Sequence, residues 1–245
     1  MDASIISYGF QYGGYLIETG LLIFVIVSGY RTRLVSVAIY LSCLLGAGLA
    51  RTLTIYKFGV ASPQYMHIYW TTDFLLVMSL FLSVCLFFRR ACLQEEKMWR
   101  YVRLLLGIVF VLVMAVSGLI FSHKYSDLFS NFVYEFNQNL YFTCLVLNTL
   151  LYLLLQQIES ADDQLGLLVC GVGIQFAGPA ATLALVHLTA GERFAQSLNS
   201  LCMRMCTFGM LLVWTYAIIH VKDKVVRVTR REIPVLAEVT ADLNV

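Results

Sequence analysis

Five ionisable side chains lie inside segments that are otherwise almost entirely apolar. Two are arginines, Arg51 and Arg204, and three are acids, Glu18, Asp73 and Glu135. In a segment that spans a bilayer, such a group costs at least about 3 kcal/mol unless it meets a partner or water. The chemistry expected of these residues is therefore ion pairing between helices, or binding of a small polar molecule.

Arg51 and Asp73 are the most plausible ion pair, because their segments are joined by the short connection KFGVASPQ. At about 1.5 Å per residue, Asp73 lies roughly 13 Å from the start of its segment. Arg51 lies roughly 8 Å from the end of the preceding segment, at the same side of the bilayer. The two segments form a hairpin, so the sequence predicts a salt bridge between Arg51 and Asp73.

The other polar groups favour the same side of the bilayer. The candidate ligand-binding residues are Glu18, Arg51, His67, Asp73, Glu135, Gln175 and Arg204. The opposite halves of the segments read LLVMSLFLSVCLFF and FGMLLVWTYAII, which contain no charge. This asymmetry predicts a polar crevice open to one face. The alternative is that the charges only fix helix register, as buried polar groups do in some proteins.

The composition of the chain indicates that these residues lie on membrane-spanning helices. The chain has 245 residues, 60% of them hydrophobic, and a mean hydropathy of +0.78. A membrane-spanning helix needs about 20 mainly apolar residues, and the sequence predicts seven such segments: 8–30, 34–56, 64–88, 100–122, 131–157, 164–188 and 196–221. We therefore expect an all-α membrane protein with seven transmembrane helices in residues 1–221 and a short tail, 222–245.

The basic residues predict the orientation of these helices. Twelve of the seventeen Lys and Arg residues fall in three clusters, within 31–33, 89–103 and 222–231, and only three fall in the alternate connections. Cytoplasmic loops carry the excess of positive charge in membrane proteins. The sequence thus predicts an external N-terminus, a cytoplasmic tail, and a place in the plasma membrane or a bacterial inner membrane.

No motif assigns a metal, a cofactor or a catalytic group. His67, His123 and His187 lie near the same face but form no close pair on one helix. The string EEKMWR at 95–100 fits the first motif of the intramembrane CAAX-type proteases, yet the histidine motifs of that family are missing. The sequence therefore favours a protein without catalytic activity and leaves any cofactor unknown.

Two further patterns predict how the helices pack. Ser42, Gly46 and Ala50 recur every four residues on the second segment, a spacing that permits close contact with another helix. Gly178 and Pro179 lie together in the sixth segment, where they are expected to kink it.

The functional hypothesis is a receptor-like or sensory membrane protein that binds a small molecule in the external crevice. With so short a tail, it would signal through a separate membrane or cytoplasmic protein. The alternative is a non-catalytic subunit or assembly factor of a membrane complex, and a transporter or membrane enzyme is less favoured. The expected partners are the lipid bilayer, a small ligand and another protein, and no nucleic acid is expected.

Overall fold

The computed structural model of the chain describes residues 3–27, 34–59, 61–92, 96–121, 128–157, 162–188 and 202–220. These residues form seven helices and contain no strand. The helices are α1 (Ala3–Val27), α2 (Val35–Phe58), α3 (Pro63–Ala91), α4 (Glu96–Phe121), α5 (Leu128–Gln157), α6 (Asp163–Leu188) and α7 (Cys202–His220). The predicted tail, 222–245, and the first part of the seventh predicted segment, 196–201, lie outside the described residues.

Five of the helices, α2, α3, α4, α5 and α7, are long and apolar enough to cross a membrane. Helices α1 and α6 contribute shorter apolar stretches, Tyr12–Val27 and Asp163–Gly178. Large apolar side chains are also exposed on the surface of the bundle, for example Leu104 and Val111 on α4 at 65% and 66%. Apolar surface on this scale is stable in lipid rather than in water, so the fold indicates a membrane-embedded protein.

The hairpin between α2 and α3 is defined by local signals. Gly59 ends α2 with a positive φ of 79°, a conformation that favours glycine. Ser62 caps α3, since its side chain accepts a hydrogen bond from the backbone N–H of Tyr65 at 3.2 Å. Proline at 63 suits the first turn because it has no N–H to satisfy. We call this end of the bundle the α2–α3 end, and the opposite end, near Cys92, the α3–α4 end.

Helix α3 lies at the centre of the bundle and packs against α2, α4, α5 and α6. Trp214 anchors α7, because its Nε1 donates a hydrogen bond to the Leu168 carbonyl of α6 at 3.0 Å. Its ring also meets the Tyr40 ring of α2 edge-on, with centroids 5.7 Å apart. Six helices, all but α4, therefore surround a common interior, while α4 packs on the outside against α3 and α5.

The tightly packed part of this interior lies toward the α3–α4 end. On α3 the buried residues all fall between Val77 and Phe88, and on α7 they fall between Met210 and Ile218. Lipid tails are as apolar as these side chains, so close packing rather than escape from water holds the helices together here. The charged side chains of the interior, Glu18, Arg51 and Asp73, lie outside this packed part, toward the α2–α3 end.

The close helix contacts do not follow the predicted small-residue stripe. Gly46 is exposed, and a Cβ added there would meet no atom within 4 Å, so the predicted contact through this residue is wrong. Gly48 makes the close approach instead, since an added Cβ would lie 2.9 Å from the Tyr15 ring of α1. Helix α6 runs unbroken through Gly178 and Pro179, and the predicted bend at these residues stays a prediction.

An ion pair joins α3 to the start of α6 at the α3–α4 end. Arg90 Nε and Nη2 donate to the two carboxylate oxygens of Asp162, each at 3.0 Å. Nη2 also donates to Gln164 Oε1 at 3.0 Å. Asp162 caps α6, since its Oδ1 accepts from the N–H of Leu165 at 3.2 Å. These bonds allow α3 to continue past the arginine pair, beyond the predicted end at residue 88.

We expect Arg90→Ala to lower the free energy of unfolding by about 1 to 2 kcal/mol, because it leaves the partly buried Asp162 carboxylate without its bidentate partner. Thermal melting in detergent micelles measures the effect. Arg89→Ala is the matched control, since Arg89 is the neighbouring residue and is exposed. Equal melting temperatures for the two variants would show that the Arg90 pair contributes nothing.

Candidate functional site

Asp73 joins three helices at the polar end of the interior. Its Oδ1 lies 3.3 Å from Arg51 Nη2 of α2, and its Oδ2 accepts a hydrogen bond from Asn137 Nδ2 of α5 at 2.7 Å. The carboxylate therefore has a charged partner on one side and an amide on the other. Both members of the ion pair are partly exposed, Arg51 at 24% and Asp73 at 22%, so the pair is half-buried.

The guanidinium of Arg51 is held against α3 by more than this charge. Its Nε donates to Thr72 Oγ1 at 2.8 Å, and Nη2 also donates to the Tyr69 carbonyl at 3.3 Å. The Tyr69 ring lies under the guanidinium, with its centroid 4.4 Å from Cζ, in a cation–π contact. Among the described residues, Nη1 makes no hydrogen bond. Arg51 is thus fixed in position with one amino group still able to donate.

A cavity of about 210 Å³ opens beside this cluster, within the ring of six helices. Its polar lining consists of Tyr15, Glu18, Tyr40, Arg51, Asp73, Tyr141, Gln175, Arg204 and Thr207. Leucines close the side toward the packed core, among them Leu44, Leu80 and Leu211. The cavity is therefore polar toward one end of the bundle and apolar toward the other.

Two buried side chains line this cavity, and each carries a buried acceptor atom that has no hydrogen-bond donor among the described residues. They are Glu18 on α1, 4% exposed, through Oε2, and Gln175 on α6, 5% exposed, through Oε1. Leaving a buried acceptor unpaired costs about 1 to 3 kcal/mol, and more for a charged group. A bound molecule that brought a donor to either oxygen would therefore stabilise the protein.

Arg204 brings a second positive charge to the cavity from α7. Its side chain is exposed and makes no ion pair with any described residue. Residues at spacings of three and four lie on one helical face, and Thr207, Phe208 and Leu211 accordingly share the lining with Arg204. One wall of the cavity thus passes from a guanidinium through a hydroxyl to apolar groups.

Five of the seven predicted binding residues line this one cavity: Glu18, Arg51, Asp73, Gln175 and Arg204. His67 and Glu135 do not belong to the lining. His67 lies exposed near the start of α3, six residues before Asp73 and therefore about 120° away around the helix. Glu135 lies on α5 two residues before Asn137, which turns it about 160° away from the Asp73 contact. A role of these two residues in ligand binding stays a prediction.

Sequence reasoning missed Asn137, Tyr40 and Tyr141 as members of the site. Asn137 stands in the polar run EFNQN beside the carboxylate of Glu135, but it is the Asn137 amide that contacts Asp73. Tyr141 lies four residues further on the same face of α5 and could have been found by that spacing. Tyr40 stands in an apolar run of α2, and no pattern in the sequence marks it.

The described residues contain no group of three or more His, Cys, Asp or Glu side chains that could hold a metal ion. The cavity offers instead paired and unpaired charges, amide and hydroxyl groups, and aromatic rings, which suit recognition of a small polar molecule. Comparisons with protein-family models, with curated proteins and with solved structures find no match to this chain.

Proposed function

We propose that this protein is a small receptor-like or sensory membrane protein that binds a small ligand in the cavity between its helices. The chain would cross the membrane seven times, with the N-terminus outside and the tail in the cytoplasm of the plasma membrane or bacterial inner membrane. The concentration of Lys and Arg in alternate connections supports this orientation. The cavity then lies in the external half of the bilayer, and signalling would pass to a separate protein.

The pair of unsatisfied acceptors on Glu18 and Gln175 carries this proposal. A polar core whose only role is to hold helices together satisfies its own donors and acceptors, because each orphan weakens the fold. Arg51 and Asp73 behave in that way, although Trp70, Asn137 and Asn148 each keep one buried polar atom without a partner among the described residues. Glu18 and Gln175 differ because their side chains also line a cavity, as expected of groups that bind a ligand.

The second candidate is a non-catalytic subunit or assembly factor of a membrane complex, in which the charges are structural. The observation that favours it is the Asp73 cluster, which ties α2, α3 and α5 together without any ligand. A transporter is less well supported, because large apolar side chains such as Phe87 and Trp214 fill the interior beyond the cavity, where a transport route would need polar groups.

The test is to fill the cavity without changing its charges. Gly14 lines the cavity, and a Cβ added there would lie 3.8 Å from Glu18 Oε1, an ordinary contact, so the Gly14→Leu side chain extends into the space that a ligand needs. Purified wild-type protein in detergent is screened by thermal melting against small polar metabolites. We expect at least one compound to raise the melting temperature of wild type but not of Gly14→Leu.

Gly20→Leu is the matched control, because Gly20 lies on the same helix, is exposed and has no atom within 4 Å of an added Cβ. It should respond to compounds as wild type does. If no compound stabilises wild type, and the protein instead purifies with a stoichiometric partner, the subunit function replaces the receptor-like one.

A further inference from the structure

We infer that the cavity takes a small zwitterion, with an ammonium group against Glu18 and Gln175 and an anionic group toward Arg204. This inference rests on the proposed ligand-binding function and specifies the chemical class of the ligand. An amino acid, a betaine or a zwitterionic lipid headgroup would each supply the two charges.

The charges of the cavity lining indicate a zwitterionic ligand. Four ionisable groups of opposite sign face the cavity, and two of them, Arg51 and Asp73, neutralise each other through their salt bridge. Glu18 and Arg204 are left without an ion pair among the described residues. A ligand with one negative and one positive group complements both of them, whereas a ligand with a single charge leaves the other in a partly desolvated site.

The surroundings of Glu18 suit an ammonium group in particular. An ammonium group has three donors and no acceptor, and two acceptors that lack a donor, Glu18 Oε2 and Gln175 Oε1, border the cavity. Tyr40, Tyr141 and Phe208 line the same space, and aromatic faces attract cations. A carboxylate placed at this position would be repelled by Glu18 and would leave both acceptors unsatisfied.

The anionic group has donors on the other side of the cavity. Arg204 presents a guanidinium, which matches the geometry of carboxylate or phosphate oxygens. Thr207 adds no donor, because its hydroxyl already donates to the Met203 carbonyl at 2.9 Å. Arg51 Nη1 makes no hydrogen bond within the described residues, so it can act as a second donor without breaking the Asp73 contact.

Volume limits the size of the ligand. An apolar cavity of about 150 Å³ accommodates benzene, which has six heavy atoms. The cavity here measures about 210 Å³, so roughly eight to ten heavy atoms fit. Valine, glycine betaine and 4-aminobutyrate lie at or just below this size, and a diacyl lipid could insert only its headgroup.

The experiment measures binding to the full-length protein in detergent by isothermal titration calorimetry. The free zwitterions are valine, glycine betaine and 4-aminobutyrate, and the single-charge analogues are propylamine, tetramethylammonium and butyrate. A lipid arm adds phosphatidylethanolamine, with phosphatidylglycerol as the anionic comparison, to the same micelles. We expect at least one zwitterion, free or lipid, to bind at least tenfold more tightly than every single-charge analogue.

Charge-neutral variants test whether the preference for zwitterions depends on the charges of the cavity lining. Glu18→Gln and Arg204→Gln should each weaken zwitterion binding at least tenfold, because each removes one charge with little change in shape. The matched controls are Glu135→Gln and Arg100→Gln, which neutralise an acid and an exposed arginine outside the lining. They should bind as wild type does.

The inference is overturned if no zwitterion binds or if the single-charge analogues bind as tightly. It is also overturned if binding is unchanged in Glu18→Gln and Arg204→Gln. In those cases the proposed function still stands when another compound binds wild type and Gly20→Leu but not Gly14→Leu. When no compound binds wild type at all, both proposals fail together.

Discussion

Asp73→Ala is expected to lower the free energy of unfolding by about 3 kcal/mol, since it removes the ion pair to Arg51 and the hydrogen bond from Asn137 together. The effect is large because Arg51 loses its only ion-pair partner among the described residues and Asn137 Nδ2 loses its acceptor. These contacts also bring α2 and α5 onto α3. Melting temperature in detergent and resistance to protease both measure it. Asp73→Asn should lose less, because an amide oxygen can still accept from Asn137.

A double-mutant cycle separates the Arg51 contact from the rest of the effect. Arg51→Met keeps most of the length of the side chain and removes its charge. We expect the double variant to lose about 1 kcal/mol less stability than the sum of the losses in Arg51→Met and Asp73→Ala. Glu135→Ala is the control, an acid on α5 that does not line the cavity, and should change stability by less than about 0.5 kcal/mol. Strict additivity of the two losses would contradict an energetic coupling between Arg51 and Asp73.

Gly171→Ala is expected to destabilise the protein by about 2 kcal/mol, although alanine is the better helix former. A Cβ at this position of α6 would lie 2.7 Å from both Cδ1 and Nε1 of Trp214. The indole cannot move aside easily, because it is fully buried, bonded to the Leu168 carbonyl and packed against Tyr40. The added methyl group therefore pushes α6 and α7 apart, and the melting temperature should fall.

Gly166→Ala is the control on the same helix, and its melting temperature is not expected to fall. A Cβ at Gly166 meets no atom within 4 Å, so only the gain in helix propensity remains, up to about 1 kcal/mol. We expect its melting temperature to stay level or rise. If Gly171→Ala were as stable as Gly166→Ala, the close approach of α6 to Trp214 would not exist in the folded protein.

The helices could be predicted well, because a run of about 20 apolar residues is a local feature of the sequence. Predicted segments 131–157 and 164–188 end at the same residues as α5 and α6, and segment 34–56 lies within two residues of α2. Predicted segment 64–88 is three residues shorter at its end than α3, which includes the charged pair Arg89 and Arg90. Arg90 finds its partner on α6, and a contact between residues so far apart in the chain has no local signature.

The sequence predicted the depth of the candidate site residues better than their direction. Depth along a helix follows from counting residues, and Arg51 and Asp73, predicted at similar depth, lie 3.3 Å apart. Rotation about the helix axis is a different coordinate, since each residue turns the side chain by about 100°. Glu135 and Asn137 have nearly equal depth, yet Asn137 contacts Asp73 while Glu135 does not line the cavity.

The sequence by itself determined that this chain forms apolar helices for a membrane, since a segment in lipid must satisfy its own backbone hydrogen bonds and only a helix does so alone. It also indicated that Glu18, Arg51, Asp73 and Arg204 lie near one another, and all four line one cavity. Only the tertiary structure decided which of them meet: close packing at residues such as Gly48 and Gly171 fixes the rotation of each helix. That rotation directs Glu18 and Gln175 into one cavity, where both remain without a donor among the described residues.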